Sequence, residues 1–134
     1  MAKPRRTPAR RPARPQRTAP PRPRAVAPAG RVRSATDATF ARLSAAPAVL
    51  VDLWAPWCPP CLALAPIVKK VAAKLGRKVT VLRVNVDDNP ELTRRFRVTV
   101  IPKVVLLRGG RRRTRVGLLG EMALLEWVRA GLGH

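Results

Sequence analysis

The sequence predicts an α/β fold with a central mixed β-sheet flanked by helices. Three observations carry that expectation. Residues 48–54 (AVLVDLW) form a nearly continuous apolar run, as in a strand buried on both faces, and an amphipathic helical pattern follows at 59–75. Residues 79–86 (VTVLRVNV) alternate as a strand does, and a short helical stretch follows, so strands and helices succeed one another as in a parallel sheet. Residues 103–119 then read as a hairpin, which adds antiparallel strands.

The elements follow in order. Residues 36–46 (TDATFARLSAA) read as a first helix, with Phe40 and Leu43 on one side, Thr36 or Asp37 as cap and Pro47 as its end. After the strand at 48–54 and a turn at 55–58, the helix at 59–75 places Leu62, Ala65, Val68, Ala72 and Leu75 at three- and four-residue steps. Pro66 lies inside it and is expected to kink it, and Gly76 stops it. Asn89 and Pro90 open a short helix through Phe96, with proline suited to a first turn. Residues 103–107 (KVVLL) and 114–119 (TRVGLL) flank RGGRRR as a hairpin. Residues 121–132 close the chain with a helix that buries Leu124, Leu125 and Val128.

Composition divides the chain of 134 residues. Residues 1–33 hold eleven Lys/Arg, eight prolines and no acidic residue, whereas 34–134 hold the other seventeen bases and all seven acids; the net charge is +21. The first segment lacks the apolar residues that offset chain entropy and is expected to be a disordered, partly polyproline-like arm. The second is long enough for a single small core. Arg outnumbers Lys 22 to 6, a compositional bias that weakens inference from charge alone. No apolar run approaches the ~18–20 residues of a membrane span. The arm has no apolar stretch of a secretory signal, and its prolines forbid the amphipathic helix of an organelle transit peptide. The expectation is a cytoplasmic protein, without membrane attachment, whose two cysteines are catalytic rather than a structural staple.

Both cysteines lie in VDLWAPWCPPCLALAP, residues 51–66, two prolines apart. Cys58 sits where a helix begins. Unpaired amides and the helix dipole there favour an anion and lower a thiol's pKa, which makes Cys58 the attacking thiolate. Cys61, one turn along on the same face, can then attack the mixed disulfide and release the reduced substrate. A permanent crosslink between them would close a tiny loop and stabilise little. A zinc site needs about four ligands, and His134 is the only further soft candidate, so no metal is expected. Asp52 is flanked by apolar residues. Burial should raise its pKa, which suits a group that takes the proton of Cys61. Trp54 covers the core, and Trp57 beside Cys58 lines a substrate surface.

This order of elements around WCPPC resembles thioredoxin, and the resemblance runs from about Arg31 to the C-terminus. VLVDLWAPWCPPC resembles the family's signature strand and active-site loop, Pro66 its helix proline, VNVDDNP its third-strand exit, VIPK its cis-proline loop and the VG at 116–117 the glycine of its last strand. The resemblance implies the thioredoxin fold and a thiol–disulfide oxidoreductase that reduces protein disulfides. Its redox group would be the Cys58–Cys61 disulfide, with no other cofactor. It implies Pro102 as the cis residue, and Ile101 as the residue whose backbone pairs with an extended segment of substrate. It implies Asp52 as proton acceptor, through water and beside a cation. It also implies disulfide-bearing protein substrates, a flavin-dependent reductase as electron donor, and a monomer.

Three positions depart from the family pattern. Pro59-Pro60 replaces the usual Gly-Pro, which removes one more amide from the thiolate and points to a reductant. Arg83 stands where the family usually has Lys and is expected to hold Asp52 more ionised. Lys103 replaces a small hydroxyl and is expected to place a cation near the thiols. That pulls the other way and keeps an isomerase or oxidant open. The Arg-rich turn, with Arg108, Arg111, Arg112, Arg113 and Arg115, should share with the arm one basic pole away from the redox face. Two readings of that pole stay open: a solvated, compositionally biased surface, or a tether to nonspecific nucleic acid or another polyanion.

Overall fold

The computed structural model describes residues 30–133. Most of the expected arm, residues 1–29, and His134 lie outside them. The sheet has five strands: β1 (Val32–Ser34), β2 (Ala48–Trp54), β3 (Thr80–Asn85), β4 (Lys103–Arg108) and β5 (Arg111–Val116), in the order β1-β3-β2-β4-β5. β1, β3 and β2 run parallel, β4 is antiparallel to β2, and β5 is antiparallel to β4. The helices are α1 (Phe40–Leu43), α2 (Pro59–Leu75), α3 (Pro90–Arg95) and α4 (Glu121–Gly131), with a 3₁₀ turn at Gly76–Lys78.

Side chains of each strand alternate between two cores. On one face Leu50, Val81, Val104 and Leu106 pack under α2 and α4, against Leu64, Val68, Val71, Leu124 and Val128. On the other, Val49, Val51, Leu53, Leu82, Val84 and Val105 meet Phe40, Leu92 and Phe96. The rings of Phe40 and Phe96 meet edge to face with centroids 5.5 Å apart, a favourable aromatic geometry.

Several expectations are corrected. The residue patterns showed no strand before the first helix, although the fold implied by the resemblance carries a first strand parallel to the one ending at Trp54; β1 is that strand, and it spans the 33/34 boundary expected between arm and domain. The first helix is one turn rather than 36–46. Thr36 and Thr39 exchange backbone-to-hydroxyl bonds (2.9 and 3.2 Å), a local alternative to helix. Asp37 does not cap that helix. It accepts from the amides of Glu91 (3.1 Å) and Leu92 (2.9 Å), closing the N-terminus of α3 from 54 and 55 residues away. β3 is 80–85 rather than 79–86, and α4 ends at Gly131. In α2 the buried stripe is Cys61, Leu64, Val68, Val71, Ala72 and Leu75, while Leu62 is exposed and Ala65 half-buried. The helix continues through Pro66 and ends at Gly76, whose φ of 57° lies in the left-handed region. The hairpin turn is only Gly109-Gly110, both at positive φ (55° and 77°) as a tight two-residue turn requires, so the arginines that follow are strand residues.

Gly131 sits inside the last turn of α4, where alanine has the better helix propensity by ~1 kcal/mol. A Cβ there would, however, strike Leu106 Cδ2 and lie 2.7 Å from Arg113 Nη1. Leu106 is buried and cannot yield. Gly131→Ala is therefore expected to destabilise by about 1–2 kcal/mol, the cost of overpacking winning over propensity. Urea unfolding of the two proteins measures the sign: a gain in stability would show that Leu106 and Arg113 give way freely to the added methyl.

Candidate active site

The cysteine turn lies at the C-terminal end of β2. The chain leaves Trp54, the amide of Cys58 donates to Ala55 O at 3.2 Å, and α2 begins. Cys58 is the N-cap of α2, with Pro59 and Pro60 in its first turn. A helix leaves its first amides without helical partners, but neither proline has one to leave. The first available amide is that of Cys61, and it donates to Cys58 Sγ at 3.3 Å. The next, Leu62, donates to Cys58 O at 3.1 Å. One N–H, at the positive end of the helix, is thus aimed at the sulfur of Cys58. Cys58 and Cys61 form a disulfide with Cα atoms 5.2 Å apart. Cys58 retains 4 % exposure and Cys61 none, so an approaching group meets Cys58 first. The pair packs with Ala55 against Trp54, Val86 and Ile101.

Exposed apolar groups surround the cysteines. Trp57 is 66 % exposed, an unusual setting for so large a ring, and its indole N–H donates to Asp87 Oδ2 at 2.9 Å. Asp87 is itself oriented through its amide, which donates to Asn85 Oδ1 at 3.0 Å. Sequence reading assigned Asp87 no part. The signal available was an acidic residue just past a strand end that points toward the cysteine turn. The Ile101–Pro102 peptide is cis, and Pro102 O accepts from the amide of Gly117 (φ 99°) at 2.8 Å, joining the start of β4 to the end of β5. Val100 is exposed next to half-buried Ile101, and Val116 and Leu118 are exposed beside Gly117.

Lys103 does not direct its charge at the sulfurs. Its ammonium donates to Phe96 O at 2.7 Å and Arg97 O at 3.2 Å, where α3 ends and its carbonyls lack helical partners. Partial burial, then the nearby charges of Arg112 and Arg97, lower its pKa.

Asp52 lies on the α2 face of β2, opposite Arg83 in the β2–β3 register, and is fully buried. Arg83 Nε donates to its Oδ2 at 3.2 Å; Asp52 Oδ1 and Arg83 Nη2 are buried with no partner among the described residues. The guanidinium also lies over the ring of Trp54, 4.1 Å from its centre. Desolvation raises the Asp52 pKa from 3.8 to about 6, against the smaller downward pulls of the Arg83 charge and hydrogen bond. The expected ionising influence of Arg83 is present, but burial outweighs it. Among the described residues no group of three or more His, Cys, Asp or Glu could hold a metal ion, and no helix is long and apolar enough to cross a membrane.

Because Asp52 binds its proton more tightly in the folded chain than in the unfolded one, its contribution to stability is complete below about pH 4 and is lost as pH rises through about 6. Asp52→Asn is therefore expected to be more stable than the parent at pH 8, by at most about 3 kcal/mol. The two should converge near pH 4. Urea unfolding of the oxidised proteins at both pH values checks this, and a parent stability independent of pH would refute the burial account.

The family model for thioredoxin matches residues 31–130. The chain is 36% identical over 100 residues to a thioredoxin of Rickettsia felis, covering 72% of this chain and 95% of that one. It is 44% identical over 94 residues to a thioredoxin of Mycobacterium tuberculosis, covering 68% and 81%. A bifunctional thioredoxin reductase/thioredoxin of Mycobacterium leprae is 43% identical over 101 residues, which are 73% of this chain and 22% of that one. Among solved structures, chloroplastic thioredoxin z superposes with a TM-score of 0.66 at 28% identity, covering 75% of this chain and 93% of that one. With its cysteine pair at the head of α2 and its mixed five-stranded sheet, the chain belongs to the thioredoxin family and is a thiol–disulfide oxidoreductase whose redox group is the cysteine pair itself.

Proposed function

We propose that the chain is a protein-disulfide reductase acting through Cys58 and Cys61. The observation that carries the reading is Cys58 at the N-cap of α2: its sulfur accepts a helix amide, and of the two cysteines it alone retains any exposure. In the dithiol form the Cys58 thiolate attacks a substrate disulfide. One S–S bond forms to Cys58, and the other substrate sulfur leaves as a thiolate that takes a proton. Cys61 then loses its proton and attacks Cys58 Sγ. The substrate's second sulfur departs, and two electrons have passed from the protein dithiol to the substrate. Asp52, ionised above about pH 6 and buried beneath α2, is the acceptor for the Cys61 proton. Trp57, Pro59, Pro60, Ile101 and Pro102 form the surface that receives an extended substrate segment, its backbone pairing at Ile101. Trp54 and Arg83 support Asp52 from one side, and Lys103 fixes the end of α3 near the loop that carries Ile101.

A flavin-dependent thioredoxin reductase is the electron donor in this reading, supported by the Mycobacterium leprae relative that carries both functions in one chain. We place the protein in the cytoplasm, with the proline- and arginine-rich segment that precedes β1 as an arm joined to the catalytic domain. Dithiothreitol-driven insulin reduction tests the reading. Cys58→Ser is expected to lose turnover completely, and Cys61→Ser to accumulate the mixed disulfide. Turnover that persists in Cys58→Ser would overturn the assignment.

The prolines set the redox direction. With a single amide on its sulfur, the Cys58 thiolate is held less firmly, so the dithiol is the better electron donor. Pro60→Ala restores an amide at a position from which an N-cap acceptor is commonly reached. A hydrogen bond to a charged group is worth about 1.5 kcal/mol, so the potential is expected to rise by up to about 30 mV. Equilibration with glutathione measures it. A potential that stays put or falls would dissociate redox poise from amide count.

A further inference from the structure

The sheet end remote from the cysteines carries an arrangement that the redox reaction does not use. Arg108 and Arg111 close the Gly109-Gly110 turn directly opposite each other, and like charges so placed repel. Neither side chain makes a hydrogen bond among the described residues, where the ion pairs are Lys74–Glu121 and Arg83–Asp52. Between this turn and the end of α4 lies a cavity of about 750 Å³ lined by Arg108, Arg111, Arg112 and Arg113. Two glycines hollow it. A Cβ at Gly131 would meet Arg113 Nη1 at 2.7 Å, and one at Gly133 would meet Arg108 Nη1 at 3.0 Å. Arg113 is anchored on Trp127, donating to its carbonyl at 3.1 Å and lying 5.1 Å from its ring centre. Arg112 is anchored likewise, to Arg95 O at 3.2 Å and over Phe96. Each anchored guanidinium has five N–H donors and commits one here. Arg113 is thus held on the α4 face and Arg112 on the α3 face, Arg108 and Arg111 stay uncommitted between them, and among the described residues no carboxylate lines the cavity.

Strand directions extend this pole. Arg108 pairs with Ala48 at the start of β2, and β1 and β3 run parallel to β2, so Arg31, Arg77 and Lys78 enter the sheet at the same end. Asp87 and Asp88 follow β3 at the opposite, cysteine end. The outer strands β1 and β5 are four strand spacings apart, ~19 Å. That exceeds what one small anion can neutralise and suits a chain of phosphates. Among the described residues the large exposed apolar ones are Trp57, Leu62, Val100, Val116, Leu118 and Met122, and none lines the cavity or this turn. Without apolar groups to enter a bilayer, or free aromatic faces on which bases stack, the pole fits a phosphodiester backbone read through charge alone. Guanidinium groups match phosphate oxygens in pairs.

We propose that this pole binds the backbone of nucleic acid, without sequence preference, with the Arg108–Arg111 cavity as its principal phosphate seat, and so tethers the dithiol while leaving its face open. The nine bases of residues 1–29 add to the same electrostatic attraction.

The test is fluorescence anisotropy of a labelled random 20-mer, single-stranded and duplex, with the full chain from 50 to 300 mM KCl. Log affinity should fall linearly with log salt. Arg108→Gln/Arg111→Gln should reduce that slope by about two while insulin turnover stays at the parent rate. Arg108→Lys/Arg111→Lys, which keeps both charges, should retain the slope and serves as the folding control. Three outcomes overturn the proposal: no binding at 50 mM KCl, a parent-like slope in the Gln variant, or tighter binding to phosphatidylserine vesicles than to the oligonucleotide at equal phosphate.

Discussion

Burial of β2 on both faces is the constraint on which the rest of the structure depends. β3 bonds to one side of this strand and β4 to the other, and a hydrophobic core closes on each face. Slipping its register by one residue would exchange Leu50 and Asp52 for Val49, Val51 and Leu53, turning every side chain to the wrong core. The position of the carboxyl beneath α2 therefore follows from the same alternation that builds the hydrophobic layers. Its elevated proton affinity is a consequence of where the strand must lie. The end of the strand is fixed too, so the cysteine turn always emerges over the same point.

At that point the chemistry is set by what the backbone lacks. A helix start ordinarily presents several free amides to an anion. Here two consecutive residues have none, and the cap bond falls to the one amide that remains. Restricting the turn also restricts the field around the sulfur. In the reading proposed above, rigidity and redox poise are therefore coupled at this motif. On the rim, Asp87 holds Trp57 by its ring nitrogen, so the exposed indole keeps one orientation.

The limits of β2 and α2 were legible in the sequence to the residue, because β2 is a sharp apolar run ended by a tight turn and α2 a helical pattern ended by Gly76. The position of the cysteines at the head of α2 and the burial of Asp52 followed from those two limits. β1 was not: three half-exposed or exposed residues, two of them polar, next to a proline-rich segment give no strand pattern. The role of Asp37 was hidden because its partners lie more than fifty residues away, whereas local capping rules look only a few residues along. β5 was read partly as turn because four of its six residues are arginines and all six are exposed. Its strand conformation comes from pairing with β4 rather than from any preference of its own. Lys103 was misdirected by analogy of position; the free carbonyls at the end of α3 offer its ammonium a nearer partner than the sulfurs.

The exposed character of β5 has a consequence for how molecules of this chain meet one another. An outermost strand offers a row of unpaired backbone groups on which another molecule's strand can extend the sheet. In β5 that row is bordered by Arg111, Arg112, Arg113 and Arg115, alternating above and below the sheet plane. A second copy approaching edge to edge would bring four positive charges against four, on both sides of the new seam. The strand most able to template aggregation is thus the one that like molecules repel most strongly, and the protection weakens as salt screens those charges.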